Sequence, residues 1–239
     1  LPIRSGRSSM ANVDALTKMA ISLHLEGRHD KALVTNRDAE NLLNELEGEV
    51  SQIEFDLSRS AILANDAAFT AATSDYASAV KFALRAAECV RTHFDQGSEL
   101  AAMQLVTLQS NIAVFQQKLG DENEARQNSA AAAQVALGVW KARKSLDTRS
   151  LMLIATVAVN HGSRLEEGSP GEAREFLLAA WAAAQELEDL EPSIHAELMK
   201  RTAISLGGFL YRQGIKNEAR DVFVEAARKF RGLSRSHPK

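Results

Sequence analysis

Six histidines, one cysteine and several acidic pairs are the residues of this 239-residue chain that could carry chemistry. A metal site on a helix wants two imidazoles at i and i+4, so that both rings point at one ion. His24, His29, His93, His161, His195 and His237 never stand at that spacing, and no neighbouring cysteine or carboxylate completes a ligand set. Cys89, between Glu88 and Val90 on an expected helix, suits a half-buried thiol better than a nucleophile. The acidic groups Glu166-Glu167 and Glu186, Glu188 and Asp189 fall near expected helix ends and read as surface charge. No phosphate-cradling glycine loop and no nucleophile elbow occurs. The reading is therefore no catalytic residue, no metal site and no cofactor.

What positions the remaining polar residues is a helical framework. Hydrophobic residues make up 45% of the chain but aromatics only 5%, so alanine and leucine must fill the core, which favours closely packed helices. The net charge of −3 lacks the basic field that phosphate binding needs, so nucleic acid is not an expected partner. The longest apolar run, Leu151–Val159 broken by Thr156, is far too short to span a membrane. A single cysteine cannot form an internal disulfide, which suits a reducing, cytoplasmic setting.

Five short turns, each ending in alanine, punctuate the chain: GRHDKA (27–32), SDYASA (74–79), GDENEA (120–125), GSPGEA (168–173) and GIKNEA (214–219). Their alanines, Ala32, Ala79, Ala125, Ala173 and Ala219, are separated by 47, 46, 48 and 46 residues. Gly27, Gly120, Gly168 and Gly214 suit a left-handed helix end, and Asp75 supplies the cap where Ser74 replaces glycine. Amphipathic stretches flank every turn, so each unit is a helical hairpin whose small alanine lets two helices approach. Pro170 sits where a first helical turn tolerates it. Gly207-Gly208, inside a helix, reads as close packing, and Trp140 and Trp181 as packing anchors between repeats.

These features resemble the tetratricopeptide repeat, most closely at Ser205–Ala226 (SLGGFLYRQGIKNEARDVFVEA) and Asn111–Ala125 (NIAVFQQKLGDENEA). The period is about twelve residues longer than the usual 34, which is similar to the longer-helix variants of kinesin light chains and bacterial regulators. HEAT and armadillo repeats share the longer period, but the G-x-x-x-E-A turn found in three repeats separates the chain from them. The resemblance implies an all-α, right-handed α-solenoid of five helix–turn–helix repeats, at about 12–50, 54–95, 98–143, 146–190 and 193–231. Residues 1–11 are expected to be an unstructured leader, 12–231 one superhelical domain and 232–239 a basic tail.

The resemblance further implies a protein–protein interaction module, not an enzyme, that holds a peptide or partner segment in a concave groove lined by the first helix of each repeat. The aligned position on those helices is Lys18, Asn65, Asn111, Asn160 and Ser205, and an asparagine there can pair with the amide of an extended peptide. Asparagine at these places equally serves to bond a neighbouring repeat. Three such bonds, at about 0.5–1.5 kcal/mol each, fall short of the ~8 kcal/mol of micromolar binding. Other groove positions are His24, Gln117, Lys118, Arg201, Tyr211 and Arg212. Arg201 and Arg212 are about three turns apart and share a face; they suit an acidic peptide or free carboxylate, or are simply solvated. Ala64, Ala68 and Ala71 leave the family's two-carboxylate clamp unmatched. A peptide-sensing arm of a larger signalling or transcription regulator is the alternative function, and a homodimer through an end repeat is left open by the apolar last helix.

Overall fold

The structure is a computed structural model that describes residues 6–142, 145–190 and 195–236. The repeat limits placed at 143 and 193, residues 1–5 of the leader, and His237 with the last residues of the tail lie outside the described residues. Ten helices follow one another: α1 (Gly6–Leu25), α2 (His29–Glu45), α3 (Gln52–Ala72), α4 (Tyr76–Asp95), α5 (Glu99–Leu119), α6 (Glu122–Ala142), α7 (Thr148–Leu165), α8 (Pro170–Leu190), α9 (Ala196–Arg212) and α10 (Lys216–Ser236). No strand occurs among the described residues. The fold class is an all-α solenoid of helical hairpins. The chain divides within α6 into two compact units, 1–128 and 129–239.

In the first unit the odd-numbered leading helices α1 and α3 pack on their followers α2 and α4, and each follower packs on the next leader. Gly27 and Gly120 hold φ of +77° and +87° at the hairpin turns, the region that lacks steric cost only for glycine. Ser74 takes the same conformation at φ +67° without that freedom. It is held there by hydrogen bonds from Ser74 N to Ala71 O (2.9 Å) and from Asp75 N to Thr70 O (3.3 Å). The Asp75 carboxylate then accepts from Ser78 N at 3.1 Å and caps α4, as expected of it. Ser51 and Ser98 cap α3 and α5 in the same way, each taking up a backbone N–H that has no helical partner.

Helix α1 begins at Gly6, inside the 1–11 stretch expected to lack structure. Within that stretch Met10 is buried against Val13, Ala39, Leu43 and Phe55. At the other end α10 continues through Ser236, into the 232–239 segment expected as a tail.

In the second unit α7 packs on α8, α8 on α9 and α9 on α10. Gly162 and Gly207 mark the two closest approaches. A Cβ on Gly162 would lie 2.9 Å from Leu177 Cγ and 3.2 Å from the Ala173 carbonyl, and one on Gly207 would meet the Phe223 ring at 2.5 Å. Gly208 differs from the expectation for the pair, since its Cβ would meet only the mobile end of Arg212. Gly168 is also corrected: it does not adopt positive φ, because α7 ends in a longer turn in which Ser169 N bonds Leu165 O (2.8 Å) before Pro170 opens α8. The hinge alanines are buried in both units (Ala32, Ala79, Ala125, Ala173, Ala219), as are their partners on the leading helices, Ala20, Ala67, Ala113, Gly162 and Gly207.

Candidate functional site on the leading helices

On α1 and α5 one outward stripe recurs at i, i+3 and i+7: Lys18, Ile21 and Leu25, and Asn111, Val114 and Lys118. All six are exposed except Asn111, which is half-buried and makes no side-chain hydrogen bond to a described residue. Gln117 is exposed too but stands six residues from Asn111 and is rotated off that stripe. On α3 the equivalent positions are Asn65 and Ala68, both half-buried, and Ala72, which is exposed.

The sequence-aligned asparagines do not share one environment. Asn65 donates through Nδ2 to Asn36 Oδ1 at 3.4 Å. Asn36, on α2, is fully buried and donates in turn to Ile62 O and to Asp66 Oδ1, both at 2.8 Å. Burial holds the Asp66 carboxyl above the ordinary carboxylate range, against the lowering effect of the Asn36 hydrogen bond; Glu40 raises it further, while Arg37 and Arg85 lower it. Asn160, in the second unit, accepts a hydrogen bond from the Arg201 guanidinium.

Arg201 and Arg212 both reach from α9 to α7, Arg201 to Asn160 and Arg212 to the Glu166 carboxylate. Tyr211 between them is exposed, with Lys216 Nζ 5.9 Å from its ring centroid. The structure thus brings Asn160 and Arg201 together and gives Arg212 a carboxylate that the sequence reading assigned to surface charge. His24 is half-buried, with its ring stacked on Phe69 at 4.7 Å and its Nδ1 3.1 Å from His29 Nδ1. His161 packs edge-on against Phe176 at 4.8 Å, and burial lowers its pKa. The Cys89 thiol donates to Arg85 O at 3.3 Å and is pushed up by burial, the opposite of what a nucleophile needs. Trp181 is buried, as expected of a packing anchor.

Asn36, Asp66 and His29 escaped sequence reasoning. Asn36 lies four residues beyond the hinge Ala32, on the inward stripe of α2, and a polar residue on such a stripe is the available signal. His29 falls inside the turn motif, where helical spacing rules do not apply.

No family model and no curated protein matches the chain. Among solved structures it is similar to BtubC (BKLC) from P. vanneervenii, at a TM-score of 0.63 and 18% identity, covering 99% of this chain and 93% of that one. At that identity the likeness speaks for the fold, a TPR-like all-helical repeat. No helix among the described residues is long and apolar enough to cross a membrane.

Proposed function

We propose that the chain is a protein-interaction scaffold that holds an extended segment of a partner protein along the outward stripes of its leading helices. The observation that carries this reading is the recurrence on α1 and α5 of exposed apolar side chains next to polar groove positions. Leu25 is 80% exposed and Val114 52%, although the same helices bury their other face well. Exposed apolar groups beside an unengaged amide offer both contact area and a backbone hydrogen bond, the combination an extended peptide needs. The small side chains of Ala68 and Ala72 leave room for a main chain to approach α3. In the second unit, Arg201 and Arg212 remain exposed while bonded to Asn160 and Glu166, and their outward guanidinium edges favour a partner segment that carries carboxylates. The reading is of a non-enzymatic, cytoplasmic module whose partner is a protein and not nucleic acid or membrane.

Asn111 gives the sharpest test, because Asn65 and Asn160 are engaged within the fold and Asn111 is not. Partners captured by the full chain from a native extract should be depleted, by quantitative mass spectrometry, when Asn111→Ala is combined with Lys118→Glu. The melting temperature should stay within a degree or so, since Lys118 is exposed and the half-buried Asn111 makes no side-chain hydrogen bond to a described residue. An unchanged set of captured proteins would dismiss this surface as the binding site.

A further inference from the structure

The turn between α1 and α2 places two imidazoles face to face. His24, in the last turn of α1, and His29, the first residue of α2, have their Nδ1 atoms 3.1 Å apart. Their ring centroids are 4.9 Å apart with the planes inclined at 54°. In the neutral pair one Nδ1–H donates and the other Nδ1 accepts, so one lone pair already faces the shared space.

The separation matches the bite of a metal ion. Two nitrogens bound at 2.0–2.1 Å stand about 2.9 Å apart when they subtend a right angle at the ion and about 3.4 Å apart at the tetrahedral angle. The observed 3.1 Å falls between these limits, so the separation suits chelation as it stands, and each ring turns so that its Nδ1 lone pair aims at the ion instead of at the other nitrogen. Binding requires one change of protonation: the donor ring moves its proton from Nδ1 to Nε2 through solvent, and both lone pairs then face the ion. No net proton is gained or lost.

The pair is also held in place. The His24 ring stacks on Phe69, a fully buried side chain of α3, with 28° between the planes. Phe69 in turn sits in a cluster with Ala20 and Ala32, the small residues at the α1–α2 crossing. A ligand ring fixed by the core loses little freedom on coordination. The cation in the same turn is compensated: Arg28 pairs with Glu26 at 3.0 Å, and Asp30 follows His29. Among the described residues no group of three histidine, cysteine or carboxylate ligands forms, so an ion here keeps open positions for water or for a donor from a bound partner.

We propose that His24 and His29 form a two-imidazole site for a borderline divalent transition metal ion of the kind imidazole nitrogen prefers, such as Zn2+. The ion bridges α1 and α2 across the hairpin turn.

The test is titration of the full-length chain with zinc chloride, followed by calorimetry and by 15N resonances of the histidine rings. One ion per chain should bind, and the Nδ1 resonances of His24 and His29 should move while their Nε2 resonances report the protonated nitrogen. His29→Gln, at a half-buried turn position, should weaken binding more than about tenfold, the loss that follows removal of even an outer partner of a metal ligand. His93→Gln should bind as the parent does. His24→Gln should behave like His29→Gln; if loss of the Phe69 stack unfolds it, the His29 variant and the ring resonances decide. Absence of binding, binding retained in His29→Gln, or binding that leaves both ring Nδ1 resonances unmoved would overturn the site.

Discussion

The two units join their repeats by different chemistry. In residues 1–128 the ties between repeats are buried or half-buried and mostly neutral. Asn36 reaches from the first repeat to Ile62 O and Asp66 of the second, and Gln104 of the third reaches back to Leu57 O at 3.2 Å. In residues 129–239 the ties are charged and lie at the surface: Lys141 to Glu175 (2.5 Å), Arg174 to Glu218 (2.7 Å), Lys229 to Asp189 (2.6 Å) and Arg212 to Glu166. A buried amide with its partners met fixes register, and removing it strands those partners. A surface ion pair contributes about 0.2–1 kcal/mol and weakens with salt. One hairpin architecture can therefore be held together by specific joints or by diffuse ones.

Both tryptophans, Trp140 and Trp181, lie in the second unit, so their emission follows that unit while circular dichroism follows both. The largest expected effect is on the buried joint. Asn36→Ala leaves Asp66 Oδ1 without its donor and opens a small void, which should cost about 2–4 kcal/mol. The dichroism melt should gain an earlier phase while the tryptophan midpoint stays put. A tryptophan midpoint that moves with it would break the comparison, because the joint would then not be local.

Salt should act in the opposite sense. Raising ionic strength to ~1 M shortens the screening length to ~3 Å and should lower the tryptophan midpoint by the equivalent of about 1–2 kcal/mol. The dichroism phase of the first unit should move less. Equal shifts in both signals would mean the surface pairs contribute nothing particular to the second unit.

The smallest effect concerns Asp66. Its folded-state pKa is raised by burial, so its contribution is fully present below the ordinary carboxylate range and is lost as pH rises through the raised value. Acidification from neutrality through that window should firm the first unit. Asp66→Asn keeps an oxygen for Asn36 and removes the buried charge. It should raise the neutral-pH midpoint by less than about 1 kcal/mol, since the group is partly solvated, and flatten this part of the pH profile. A variant that melts earlier at neutral pH would show that the charge itself is needed, through Arg37 or Arg85.

The hinges were legible in the sequence because a requirement for a small residue at a helix crossing admits few residue types. Ala32, Ala79, Ala125, Ala173 and Ala219 recur at nearly equal spacing and are all buried. Gly168 misled because a glycine in a turn does not disclose its own φ; an extra residue before Pro170 changed the geometry. The residues read as groove positions fall on α1, α3, α5, α7 and α9, but their partners were not legible. Whether Asn65 faces solvent or Asn36, and whether Arg201 is solvated or bound to Asn160, depends on side-chain rotamers and on residues of the adjacent repeat. The pairing of His24 with His29 escaped because the rule that pairs ligands by helical spacing does not reach across a turn.

The packing order of the helices carries a kinetic meaning. Described contacts run from each helix to the next one or two along the chain, with none joining remote segments within a unit. Loop closure is then cheap at every step, and such chains fall in the fast regime of folding. Growth from any hairpin that forms early can spread outward one helix at a time, so a chain of this kind can consolidate its first repeats while later ones are still being synthesised.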